Sequence, residues 1–141
     1  MPQSNEPASL EPQLPRVVFP DGYAVHVEIA ADDQTRAQGL MYRDSLRPQA
    51  GMLFFFPATG VYPFWMKNTL IPLDIIWIDE QFRIARVLGN VEPCRADPCP
   101  SVDPGVPARY VLEVAGGVAM QHQLAPGNVL RFEGVESVIV R

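Results

Sequence analysis

Four residues that could do chemistry are set into the most apolar part of this sequence. Trp65, Lys67, Asn68 and Asp74 fall within Phe64-Trp65-Met66-Lys67-Asn68-Thr69-Leu70-Ile71-Pro72-Leu73-Asp74-Ile75-Ile76-Trp77-Ile78-Asp79. An indole face beside an ammonium, an amide and a carboxylate can hold a small polar ligand, such as a sugar or an amino-acid-like molecule, or a protein partner. Lys67 is the sole lysine among eleven lysines and arginines, which marks a position where a compact ammonium is wanted. Asp74 opens a buried strand, and a buried carboxylate needs a partner. Loop N–H groups of Asn68 and Thr69, or the Lys67 ammonium, would serve, and the motif would then be architectural.

Two further chemistries compete with ligand binding. A hydrolase-type enzyme would use Asp74 or Glu113 as general base, and needs that carboxylate in a concave site with a perturbed pKa. Met41, Met52 and Met66 lie beside aromatic residues, and soft thioethers select Cu(I), although core filling is the ordinary use of methionine. No phosphate-binding loop, dinucleotide fingerprint, zinc-protease helix or nucleophile elbow is present. The sequence names no reaction and no cofactor.

The elements that must position these residues are read from periodicity. Val17 to Phe19 ends at the turn Pro20-Asp21-Gly22, and Tyr23 to Ala30 alternates, with Val25 and Val27 inward and His26 and Glu28 outward. Asp32-Asp33 opens a helix in which Ala37, Leu40 and Met41 pack inward, Arg36 and Arg43 face out, and Gly39 sits at mid-helix or ends it. Gly51 to Phe56 reads as a buried strand, with a turn at Pro57 to Gly60. Residues 64 to 68 and 73 to 79 read as two strands joined by a short loop. If they pair tightly, Lys67 stands opposite Asp74, although Leu70-Ile71 is poor turn chemistry. Arg83 to Leu88, Tyr110 to Val114, Val129 to Phe132 and Val135 to Val140 complete the strands, and Val118 to Leu124 a second helix. The fold class is β-rich α+β: a curved, mostly antiparallel sheet or partly open β-barrel of about eight strands with two short helices.

Length and charge bound the partners. A chain of 141 residues fits one globular domain over residues 16–141. Residues 1–15 are polar and proline-rich, with no apolar block, and read as the disordered linker that follows a removed signal peptide. No run of eighteen apolar residues exists, so no transmembrane segment is expected. A net charge of −5 argues against nucleic acid. Cys94 and Cys99 are too far apart for a two-residue redox motif, and a zinc site lacks nearby ligands. Free buried thiols or a structural disulfide remain. The disulfide fits best between flanking prolines, and would stabilise by roughly 2 kcal/mol. It points to a periplasmic or secreted setting.

Several segments in order resemble the domain-of-unknown-function 192 family, mostly small secreted or envelope-associated proteins of bacteria and archaea. They are Gly39-Leu40-Met41-Tyr42-Arg43, Gly51 to Phe56, Phe64 to Thr69, Ile71 to Asp79, Pro93-Cys94 with Cys99-Pro100, Tyr110 to Glu113, and Pro126-Gly127-Asn128. The resemblance runs from about Arg16 to Phe132. Ser101-Val102 departs from it where a tyrosine often follows the second Cys-Pro. The resemblance implies the fold and leaves the activity open, since the family has none to carry over.

Overall fold

The computed structural model describes residues 13–141, and its first strands follow the alternation read above. β1 (Arg16–Val18) and β2 (Ala24–Ala30) pair antiparallel across the Pro20-Asp21-Gly22 turn, burying Val25 and Val27 and exposing His26 and Glu28. Most of the expected leader, residues 1–12, lies outside the described residues. The carbonyl of Pro15 accepts from the Val27 N–H at 3.1 Å.

α1 (Asp33–Gln38) starts where the side chain of Asp32 accepts from the Thr35 N–H at 2.8 Å, and the Thr35 hydroxyl bonds back in a capping box. The helix ends at once. Gly39 is its C-cap, with φ +49, a conformation that only glycine adopts without strain. Two expectations for this helix are corrected. Ala37 is exposed, and Arg36 is drawn inward, donating to the Phe55 carbonyl at 2.7 Å. The stop at Gly39 cuts off the helical face that would have buried Ala37.

β3 (Ala50–Gly60) continues through the expected turn at Pro57, with a register shift between Phe55 and Gly60 that absorbs the missing proline donor. After the two-residue β4 (Phe64–Trp65) comes β5 (Leu73–Ile78), buried along its whole length. β6 (Ile84–Val91), β7 (Ser101–Val102), β8 (Ala108–Ala115), α2 (Val118–Gln121) and β9 (Arg131–Glu133) follow. The main sheet has seven strands in the order β6-β5-β8-β3-β2-β1-β9 and curls into a half-barrel. Among the described strands only β2 and β3 run parallel, joined by the crossover that carries α1. Residues 135–140, expected as a last strand, form none, and the chain end is held by the Arg141 N–H on the Ala31 carbonyl at 2.8 Å.

The central strands β5 and β8 are apolar on both faces because both are covered. On one face Ile76, Ile78, Leu112 and Val114 pack with Val118 and Ala119 of α2. On the other, Leu73, Ile75, Trp77 and Val111 pack with Leu40, Met52, Phe54 and Met66. The Trp77 indole is sealed, and its N–H finds the Tyr62 carbonyl at 2.9 Å.

The expected pairing of residues 64–68 with 73–79 does not form. A strand has two edges, and those of β5 are taken by β6 and β8. β4 pairs instead with β7, Phe64 with Val102 and Trp65 with Ser101. β7 begins two residues after the ring closed by Cys94 and Cys99, whose sulfurs stand at disulfide distance.

Candidate functional site

A cleft of about 260 Å³ opens on the Trp77 face of the sheet, between the end of α1 and the β4 segment. Its walls are Leu40 and Met41 on one side and Pro63, Phe64 and Trp65 on the other, with Phe54 and Phe56 between them. The aromatic walls are held by their own contacts. Phe64 meets Phe54 edge-on at 5.0 Å and Trp77 at 6.0 Å, and Phe56 stacks on Tyr62 at 3.7 Å. These rings hold β4, and Trp65, 44% exposed, stands at the rim.

Glu113 lies in the cleft lining. It leaves β8 on the same face as its cross-strand neighbours Met52 and Ile75, so its surroundings are hydrocarbon. The residue is 4% exposed, and its side chain makes no hydrogen bond to any described residue. No fully enclosed polar atom is left unsatisfied among the described residues, so its oxygens touch the cleft rather than the closed core. Burial alone holds the carboxyl up at about 8, and it is a neutral acid at pH 7. Gly39 borders it: a Cβ there would lie in ordinary van der Waals contact, 3.8 Å from Oε1 and 3.4 Å from the Phe54 ring.

Three other polar side chains line the cleft, Arg36, Gln38 and Thr69. Arg36 is engaged already, by the Phe55 carbonyl, by Asp33 at 3.0 Å and by the Arg141 carbonyl, with its guanidinium 5.5 Å from the Phe56 ring centre. Thr69 is buried, and its hydroxyl has a long 3.4 Å contact to the Lys67 carbonyl.

The sequence grouping of Trp65, Lys67, Asn68 and Asp74 is divided three ways. Trp65 faces the cleft. Lys67 and Asn68 occupy the tight turn closed by the Thr69 N–H on the Met66 carbonyl, where Asn68 takes φ +56. They border a separate hollow of about 150 Å³ formed with Cys94, Arg95, Ala96, Asp97 and Cys99. The two parts touch at one point: the Lys67 Nζ lies 5.2 Å over the Trp65 ring, a cation–π distance.

Asp74 is not brought to this surface at all, which corrects its expected place in the cluster. It points to the other face of β5, is wholly buried, and accepts three backbone N–H groups: Asn90 at 2.8 Å, Gly117 at 3.0 Å and Ala119 at 2.7 Å. The last two are free donors at the start of α2. Gly117 precedes that helix and has no side chain to cap it, so Asp74 caps it from the neighbouring strand. Lys67 takes no part.

Among the described residues no three His, Cys, Asp or Glu side chains converge as a metal site. Met52 and Met66 are buried in the apolar cluster of the Trp77 face, and Met41 borders the cleft. No helix of the described residues is long and apolar enough to cross a membrane.

Sequence reasoning found Trp65 and Glu113 but assigned them to different hypotheses, and missed Gly39, Phe54, Phe56 and Thr69 as their neighbours. The one available signal was Gly39, a costly residue where a helix was expected.

Two solved structures share the architecture. One is a proposed transcription regulator from Sinorhizobium meliloti 1021, 35% identical, covering 84% of this chain and 91% of that one with a TM-score of 0.74. The other is a protein of unknown function from Novosphingobium aromaticivorans DSM 12444, 30% identical, covering 83% of this chain and 82% of that one, also with a TM-score of 0.74. Among curated proteins no sequence matches. The model of the DUF192 family, described as "Uncharacterized ACR", matches residues 16–132 and so spans every strand but the last residue of β9. With its half-barrel, its two short helices and that match, the chain belongs to the DUF192 family.

Proposed function

We propose that this protein is a periplasmic or secreted binding domain that receives a small polar ligand in the cleft between Trp65 and Glu113. The observation that carries the reading is Glu113, a buried carboxyl without a partner at an open, aromatic-walled cleft. A group of that kind destabilises the fold unless something satisfies it, and proteins keep such groups mainly where they act. Trp65 supplies a platform at the rim, and the Lys67 ammonium lies over its ring. The cleft is near the small end of ligand sites, which suits a metabolite-sized molecule rather than a polymer. The Cys94–Cys99 pair at disulfide distance supports an oxidising compartment. The net charge of −5 argues for a partner other than nucleic acid, whatever the role of the Sinorhizobium relative.

A hydrolase-type reading keeps Glu113, whose pKa of about 8 suits a general acid or base, and loses Asp74, whose oxygens are occupied. A thermal-shift screen against sugars, amino acids, amides, nucleotides and metals, with Trp65→Ala alongside, tests the binding reading. A ligand that raises Tm for the parent chain and not for Trp65→Ala is the expected result. Equal shifts in both proteins would remove Trp65 from the site.

A further inference from the structure

The chemistry of the cleft selects its ligand, and this step rests on the binding reading above. Among the described residues no counter-charge faces Glu113. From β3 and β5 its neighbours are Met52 and Ile75; from α1 and its end, Gly39 and Arg36; from the β4 side, aromatic rings and Thr69. Arg36 is the one charged side chain that shares the cleft lining with it, and its guanidinium is spent on Phe55, Asp33 and Arg141. Lys67 holds its ammonium over the Trp65 ring and lines the other hollow rather than the cleft.

A carboxyl in such surroundings is a neutral acid, and it presents one O–H donor and one carbonyl acceptor on a single edge. The matching partner is a cis amide edge, with a carbonyl and an N–H side by side, as in a primary amide or a lactam. The rings of Phe54, Phe56, Phe64 and Trp65 offer faces and edges to a flat group attached to that amide. We propose that the cleft takes an uncharged ligand with an amide or lactam edge on a small planar group, hydrogen-bonded in two places to Glu113. Charged ligands are disfavoured for a stated reason. A carboxylate would bring a second anion beside an acid with no cation near, and an amine or amidine would require Glu113 to ionise first.

Benzamide, benzamidine and benzoate are close in shape and differ in charge, so they separate these cases. Binding to the full chain is followed by amide chemical shifts of Gly39, Leu40 and Trp65 at pH 6.5 and pH 9.5. Benzamide is expected to bind at least tenfold tighter than either charged probe at pH 6.5. Its affinity then falls by about tenfold per pH unit once the acid form is depleted above the Glu113 pKa of about 8, while that of benzamidine rises. Glu113→Gln keeps a donor and an acceptor, so it retains benzamide and loses the pH dependence; Glu113→Leu loses benzamide. Tighter binding of benzamidine or benzoate at pH 6.5, with the same residues shifted, overturns the neutral-ligand proposal and leaves the cleft as a binding site. If none of the three probes shifts these residues at tens of millimolar, the binding reading itself falls, and this proposal with it.

Discussion

Asp74 and Glu113 sit on paired strands, one step out of register, so they leave the sheet on opposite faces. Both are buried acids in hydrocarbon surroundings, at 0% and 4% exposure. Three backbone N–H groups converge on Asp74, and none reaches Glu113. Asp74 therefore ties β5 to the β6 end and to the start of α2, and its oxygens are satisfied by fixed backbone donors. Glu113 ties nothing together and opens on a cleft. The contrast teaches that burial of a carboxylate is uninformative by itself. What separates scaffold from site is whether the fold supplies the partners.

The largest expected effect breaks the Asp74 side of the comparison. Asp74→Ala leaves three donors without their acceptor, at least one of them buried, and is expected to cost on the order of 3–5 kcal/mol in urea unfolding. A loss below about 1 kcal/mol would show that water replaces the carboxylate and that Asp74 is no strut.

Glu113 should behave in the opposite sense. Its folded pKa lies above the ordinary value of 4.5, so the folded state holds a proton that the unfolded chain releases. Its contribution is fully present below pH 4.5 and is lost as pH rises towards 8, with a slope of about 1.4 kcal/mol per pH unit at most. Glu113→Gln should flatten that slope and leave the protein as stable or more stable at pH 8. Stability curves of both proteins from pH 5 to 8.5 check this, and identical slopes would mean that Glu113 is solvated.

A smaller effect concerns the loop that holds the rim. Replacing Cys94 and Cys99 together by serine should cost about 2 kcal/mol by loop entropy. Because β7 is the strand partner of β4, the same change should loosen Trp65, seen as a red shift of its fluorescence in a Trp77→Phe background. The smallest change is Trp65→Ala itself. A half-exposed indole with no buried hydrogen bond should cost less than about 1 kcal/mol, while ligand-induced Tm shifts disappear. A large stability loss there would move Trp65 from the site to the scaffold.

Much of the sheet was legible before any coordinates. The alternation of Ala24 to Ala30 and the unbroken apolar run of β5 are periodicity and composition, which act within a few residues. The cap at Asp32 is equally local, since its partner Thr35 is three residues away. What failed was pairing and facing. Phe64-Trp65 looked like the partner of β5 because it is close in the chain, yet the free edge it found belongs to Ser101-Val102. Arg36 looked solvent-facing on a helical wheel, and a carbonyl on β3 and another at the chain end drew it in.

The sequence by itself determined most of the elements, the two acids among apolar neighbours, and a cysteine pair close enough to bond. Each of these depends on neighbours along the chain. Only the tertiary structure decided that Asp74 caps α2 while Glu113 faces a cleft, because the donors that make the difference lie 16, 43 and 45 residues from Asp74. A hydrogen bond acts over about 3 Å in space, and no local pattern records which distant groups the fold will bring within that reach.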